Sequence, residues 1–238
     1  MEHISVIVPV YNRAEIFEKS LQSIVQQTYR PLQIIVVDDG STEDISTVFD
    51  RVKKKYESAQ HNFLYLRQEN RGAPAARNAG LLHATGGYVI FWDADTIGQP
   101  RMLGAMREAL RKNPDASFAY SNFLLGKKLF RGIPFSFEQL KKQNFITTMS
   151  LIRRSAVIKW DETLKRFQDW DLWLTMAEQD KTGVWIDESL FQVVPGGTIS
   201  SWLPSFVYRA PFRWLPGISQ KVRKYEEAKK IIFTKHHL

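Results

Sequence analysis

The chain has no cysteine. Disulfides, thiolate metal sites and a cysteine nucleophile are therefore excluded, and the composition suits a reducing compartment. Long hydrophobic runs are also missing: no apolar stretch reaches the roughly 18 residues that a membrane span needs. Met1-Glu2-His3 leads directly into a strand-like run, without the basic and apolar regions of a secretory leader. Together these absences predict a cytoplasmic location, either free or peripheral on the cytoplasmic face of a membrane. No internal repeat or low-complexity segment breaks the sequence.

What is present is ordinary globular material. The 238 residues are 44% hydrophobic and 24% charged, enough for one large domain with an appendage. The formal charge of +8 is unevenly placed. From Leu203 onward, Arg209, Arg213, Lys221, Arg223, Lys224, Lys229, Lys230 and Lys235 face only Glu226 and Glu227, a local charge of +6. The body is nearly neutral and the end is basic, so the charge is a clue to a partner of the end.

The first half alternates strand and helix patterns. Ile4–Val10 is an almost unbroken apolar run, as in a strand buried on both faces of a parallel sheet. Residues 14–27 place Ile16, Phe17, Leu21, Ile24 and Val25 at helical spacing. Residues 32–37 read as a second buried strand, 44–55 as a second amphipathic helix and 63–66 as a short third strand. A helix over 74–84 with proline in its first turn, a strand over 88–92, a helix over 100–110 and a strand over 117–121 follow. This order predicts an α/β fold of right-handed βαβ units, with a mostly parallel central sheet flanked by helices. Beyond Phe123 the rhythm changes: 123–131 reads as a hairpin, 147–153 as a strand and 169–179 as a helix. Pro195, Pro204, Pro211 and Pro216 mark a boundary. The expected organisation is a domain over 1–200, with halves at about 1–122 and 123–200, and a basic, aromatic-rich helical extension over 201–238.

In an open α/β sheet, ligands bind beyond the carboxyl ends of the strands. The first strand ends in Pro9-Val10-Tyr11-Asn12, the second in Asp38-Asp39-Gly40-Ser41 and the fourth in Asp93-Ala94-Asp95. Taken singly, Asp38-Asp39-Gly40-Ser41 also reads as a turn with a helix cap, Asp93-Ala94-Asp95 as a solvated turn and Tyr11 as a core or surface aromatic. Acidic groups at neighbouring strand ends accommodate a phosphate ligand only with a cation between them, which points to Mg²⁺ or Mn²⁺. In an extended stretch, positions 93 and 95 face one side, so both carboxylates are expected to address one ion or its waters. The same acidity argues against nucleic acid as a partner.

Val8-Pro9-Val10-Tyr11-Asn12, Gln27-Thr28-Tyr29, Val37-Asp38-Asp39-Gly40-Ser41, Asn70-Arg71-Gly72 through Ala76-Arg77-Asn78, and Asp93-Ala94-Asp95 occur in the order and spacing of a known family. The chain resembles the family 2 glycosyltransferases of the GT-A (Rossmann-like) fold closely over residues 4–97. The likeness resumes at Arg153-Arg154 and at Asp169-Trp170-Asp171-Leu172-Trp173. It implies an inverting, metal-dependent enzyme that moves a sugar from a nucleotide-diphosphate-sugar to a hydroxyl acceptor; a polysaccharide or, if the basic end meets a membrane, a lipid-linked glycan is the acceptor expected. Residue by residue, it implies that Pro9 and Tyr11 border the nucleobase, Tyr11 by stacking. Glu15 either lines the same pocket or is an exposed first-turn acid. Asp39 is implied to accept from the base or nucleoside and Asp38 to support the turn. Arg77 approaches the diphosphate or base edge, Asp93 the ribose or the metal's water shell, and Asp95 the Mn²⁺ or Mg²⁺ ion.

By the same resemblance Asp169 is the general base; from the residues alone it reads as the N-cap of the following helix. Trp170 and Trp173 are expected to be packing residues, with Asp171 a fallback base. Three departures stand out: Gln168 replaces a common Glu, Thr96 a common Asp, and residues 193–200 lack the family's late Arg and His. His61, His83, His236 and His237 receive no role. Two rivals remain. A sugar-phosphate nucleotidyltransferase would want a glycine-rich loop, and residues 9–13 contain none. A non-catalytic nucleotide-sugar-binding relative would most simply lack Asp95 or Asp169. The aromatic residues Trp202, Phe206, Phe212 and Trp214 beside Arg209 and Arg213, followed by a basic amphipathic helix over 218–233, suit an anionic membrane surface. A helix packed on the body or a dimer contact is the alternative.

Overall fold

The computed structural model describes residues 2–195 and 218–238. In chain order the elements are β1 (Ile4–Val10), α1 (Ala14–Val25), β2 (Leu32–Asp38), α2 (Ile45–Tyr56), β3 (His61–Arg67), α3 (Ala73–His83) and β4 (Tyr88–Phe91). There follow β5 (Thr96–Gly98), α4 (Met102–Lys112), β6 (Ala116–Leu125), β7 (Lys128–Phe130), α5 (Phe137–Lys142), β8 (Leu151–Arg153), α6 (Gln168–Glu178), β9 (Thr182–Val193) and α7 (Ile218–Lys235). The sheet runs β3-β2-β1-β4-β8-β6-β9-β5, with β7 paired to β6.

Strands β3, β2, β1 and β4 are all parallel. The second half adds antiparallel pairings of β8 with β4 and β6, and of β5 with β9, so the sheet is parallel in its first half and mixed in its second. Alternation along the strands divides the core. Val6, Val8 and Val10 of β1 face α1, α2 and α4 through Phe17, Leu21, Val48 and Met106, while Ile7 faces the α3 and α6 side with Ala76, Trp173 and Leu174. Helix α3 lies close against β1 and β2. A Cβ on Gly80 would come within 2.4 Å of the Ile7 side chain, so glycine is what this approach requires.

Helix α3 begins after Gly72, at φ 89°, with proline in its first turn, as the sequence pattern predicts. Three differences from expectation have local causes. Residues 147–150 are a loop, and strand β8 occupies only Leu151–Arg153. Helix α5 was hidden by its six-residue length, too short for a periodic signature. Strand β9 was hidden by Asp187 and Glu188, which fall between the paired residues Ile186 and Ser189 where the register with β6 shifts. There Asp187 pairs with Arg131 and Glu188 with Arg101.

Apart from Pro195, the proline boundary lies outside the described residues, as do the aromatic segment over 202–215 and 196–200 of the late motif. Helix α7 is where amphipathicity placed it, and it packs on the body. Ile232 is fully buried, Phe167 meets Tyr225 with ring centroids 5.0 Å apart, and Trp170 meets Phe233 at 5.9 Å.

Candidate active site

Sheet order sets the location. From β1 the chain passes through α1 to β2 on one side, while β4, reached through α3, lies on the other. The order therefore reverses between β1 and β4, and the crevice beyond their carboxyl ends is the position for a ligand. Tyr11, Asp93 and Asp95 follow those two strand ends directly.

The loop after β1 is tied down on one side. Asn12 and Arg13 both have positive φ, 57° and 66°. Asn12 Oδ1 accepts from the Thr42 and Glu43 amides, and its own amide donates to Ser41 Oγ at 2.8 Å. Glu43 in turn accepts from the Ala14 amide at 2.7 Å, capping α1 from another loop and holding the Glu43 carboxyl below its usual range. Within this frame Pro9 is a partly buried residue of β1, and Tyr11 is 49% exposed. Glu15 lies on the surface of α1 and accepts from Lys19 at 2.7 Å; it also borders a depression of about 330 Å³ lined by Arg13, Glu15, Ile16 and Pro195.

The two aspartates after β2 have different partners. Asp38, fully buried, accepts from the Ser41 amide and the Tyr65 hydroxyl, each at 2.8 Å, and pairs with Arg67 at 3.1 Å. It braces the turn as expected. Asp39 accepts from Gln68 Nε2 at 2.7 Å, from the Arg71 amide at 2.9 Å and from the Gly72 amide at 2.8 Å. Its carboxylate thus joins the end of β2 to the loop that starts α3. Gly40 permits that closeness: its φ is 76°, and a Cβ there would sit 2.8 Å from the Asn70 nitrogen.

Asp93 and Asp95 do not share an extended stretch. The Thr96 amide donates to Asp93 O at 3.0 Å, closing a turn that sends the two side chains to different partners. Asp93 Oδ1 accepts from Arg77 at 2.9 Å and Oδ2 from the Thr148 hydroxyl at 2.5 Å. Arg77 is only 6% exposed and lies over the Trp160 ring, 4.4 Å from its centroid, so it is a buried ion pair and not a surface one. Asp95 is 8% exposed; its side-chain partner among the described residues is Arg13 Nη1 at 3.7 Å. Burial first, and the neighbouring Asp93 charge second, push the Asp95 carboxyl up to about 6.

Asp169 lies in the first turn of α6, but it is not the cap. The helix begins at Gln168 after Phe167, whose φ of 56° turns the chain without a side-chain cap. Asp169 Oδ1 accepts from the Trp170 amide at 2.9 Å and Oδ2 from Asn144 Nδ2 at 2.8 Å. It keeps part of its surface open to solvent, yet surrounding protein desolvates the carboxylate and raises its pKa. The charges of Arg77 and Asp93 both act on it, in opposite senses. Trp170 and Trp173 are buried packing residues, as expected. Asp171 faces away from this cluster into α7: it meets Lys235 Nζ at 2.7 Å and His236 Nε2 at 2.9 Å. His236 also contacts Glu178, so it anchors α7 to α6.

Sequence reasoning missed Asn144, Thr148, Trp160 and Arg13. No motif marks them; each reaches the cluster from a loop whose path only the folded chain fixes. A hard divalent cation fits at Asp95. The carboxylate is desolvated, it lies beside a second acid, and its one side-chain partner among the described residues is a distant guanidinium. Among the described residues no group of three Asp, Glu, His or Cys converges, so the remaining positions of such an ion fall to ligand oxygens and water.

The chain is similar to known proteins in sequence and in fold. The family model for Glycosyl transferase family 2 matches residues 5–160. The glycosyltransferase GlyA of Streptococcus pneumoniae serotype 4 is 45% identical over 94 residues, which is 40% of this chain and 13% of GlyA. The chain spans only 13–33% of the length of several curated relatives that it matches. Among solved structures, S. aureus TarS 1–349 in complex with UDP superposes with a TM-score of 0.67 at 21% identity, covering 82% of this chain and 60% of that one. The mannosyltransferase PcManGT from Pyrobaculum calidifontis, in complex with GDP-Man and Mn²⁺, gives 0.64 at 18% identity, covering 98% and 69%.

Proposed function

Because the chain belongs to glycosyl transferase family 2 and has the GT-A fold, we propose that it moves a sugar from a nucleotide-diphosphate donor to a hydroxyl acceptor, with inversion at the anomeric carbon. The observation that carries this reading is the desolvated Asp169, which lies under the charges of the Arg77–Asp93 pair at the β1/β4 reversal. The UDP and GDP-Man bound to TarS and PcManGT support a donor of this class, with the nucleobase left open.

In this reading Tyr11 and the backbone after Pro9 border the base. Asp39 orders the loop around the nucleoside, using the capacity its three protein donors leave. Arg77 holds Asp93 in place beside the sugar. Asp95 ligates Mn²⁺ or Mg²⁺, which when bound neutralises charge on the departing diphosphate. Asp169 takes the proton from the acceptor hydroxyl in a single displacement. A carboxylate whose pKa is raised by burial is a better proton acceptor near neutral pH than an exposed one. The acceptor is a polysaccharide or lipid-linked glycan, met at the cytoplasmic face of a membrane.

Asp169→Asn tests the assignment. Loss of transfer by about 10²–10⁴-fold is expected, with the calorimetric affinity for the donor nearly unchanged. Residual transfer near the wild-type rate, or loss of donor binding in a folded variant, would remove Asp169 from the role. Binding without turnover by the unmodified protein would favour the non-catalytic alternative.

A further inference from the structure

The segment joining α5 to β8 touches both halves of the crevice. Its apolar residues are pinned in opposite cores, Ile146 on the α6 side of the sheet and Met149 on the α1 side, and each is 1% exposed. Between these anchors its polar groups point at the acids. Asn144 Oδ1 accepts from the Ile146 amide at 3.1 Å, which fixes the amide orientation and leaves Nδ2 to donate to Asp169 at 2.8 Å. Four residues on, Thr148 donates to Asp93, and the Asp93 amide meets the Met149 sulfur at 3.4 Å. The Trp170 indole, next to Asp169, donates to Leu140 O at 2.7 Å and ties α6 to α5 at the start of the same segment.

We infer that Asn144 is a positioning residue for the base: its amide holds the Asp169 carboxylate while Thr148 holds Asp93, so one strap orients the acids on both sides of the crevice. The inference rests on Asp169 being the base. The Asn144 amide donates a hydrogen bond to Asp169, so it also favours the ionised form of that carboxylate. The charged groups facing Asp169 are Arg77 from α3 and Asp93 from the end of β4, both outside the strap. Removing the Asn144 donor disfavours the carboxylate, raises its pKa and moves the acid limb of the rate profile to higher pH.

The experiment compares Asn144→Ala and Asn144→Asp with the unmodified chain and with Asp169→Asn. Readouts are kcat, donor KM, the pH dependence of kcat/KM and donor binding by calorimetry. Asn144→Asp is the informative change, because it keeps the acceptor for the Ile146 amide and replaces only the donor to Asp169. Loss of kcat by roughly 10- to 100-fold is expected in both variants, since a hydrogen bond to a charged group is removed. The acid limb should shift upward, further in Asn144→Asp, where two carboxylates face each other. Donor affinity should stay within about twofold, which also reports that the fold is intact. Wild-type kcat and pH profile for Asn144→Asp, with Asp169→Asn inactive, would overturn the inference and leave the base assignment standing. An active Asp169→Asn would overturn both.

Discussion

At the scale of the residue, the acids of the site are distinguished by their partners more than by their chemistry. Asp38 and Asp39 accept from backbone and side-chain donors, and Asp93 is held by Arg77 and Thr148. Asp95 is different: it is desolvated, pushed up to about 6 and close only to Arg13 at 3.7 Å among the described residues. A carboxylate in that state gains most from a cation. Donor binding is therefore expected to require Mn²⁺ or Mg²⁺, and Asp95→Ala should bind donor equally weakly with metal or with EDTA. Calorimetry with UDP-, GDP- and dTDP-sugars measures this, and metal-independent donor binding by the unmodified chain would contradict it.

At the scale of the element, the pairing of α6 with α7 decides what the carboxyl-terminal helix does. Lys235 Nζ bridges Asp161 and Asp171, each at 2.7 Å, and His236 bridges Asp171 and Glu178. These contacts fasten α7 to the helix that carries Asp169 in its first turn. Hydrogen bonds from Lys235 and Thr163 lower the Asp161 carboxyl from its ordinary 3.8 to about 2. A carboxylate depressed on folding stabilises the protein above the unfolded pKa, and that contribution fades as pH falls from about 4 towards 2. Asp161→Asn should lower the unfolding midpoint at pH 7 and flatten its decline over this acid window. Solvent screening limits the loss to about 1 kcal/mol, or about 2–4 °C for a chain of this size. Thermal unfolding scans across pH are the check, and an unchanged acid slope would show that the bridge contributes nothing.

At the scale of the whole molecule, the basic charge and the apolar surface of the end part company. Helix α7 buries its apolar stripe, Val222 and Ile232 with Tyr225 and Phe233 beside them, against the body. Among the described residues its exposed side carries Arg223, Lys224, Lys230 and Lys235 alongside Glu226 and Glu227, with Lys235 paired to Asp161 and Asp171. Contact with an anionic membrane is proposed to draw on the sequence over 202–215, where Trp202, Phe206, Phe212 and Trp214 lie among Arg209 and Arg213. Flotation with anionic vesicles is expected to weaken in the Trp202→Ala/Trp214→Ala variant and to fade with salt. Equal flotation of both proteins, or none by either, would refute membrane attachment through that segment.

Local pattern was enough for the parallel half of this molecule. Apolar runs and helical spacing marked β1 through β4 with their helices, because strands buried on both faces leave an unambiguous signature. The motifs at the strand ends marked the crevice, because sheet order fixes where loops converge. What the chain kept hidden was decided by tertiary contact. Asp93 turns towards Arg77 and Thr148 because a turn closes before Thr96, Asp169 is held by Asn144 from a loop without a motif, and Asp171 belongs to α7. Strand β9 pairs across a bulge that admits Asp187 and Glu188. Periodicity reports which side of an element is buried; it carries no record of which distant side chain arrives there.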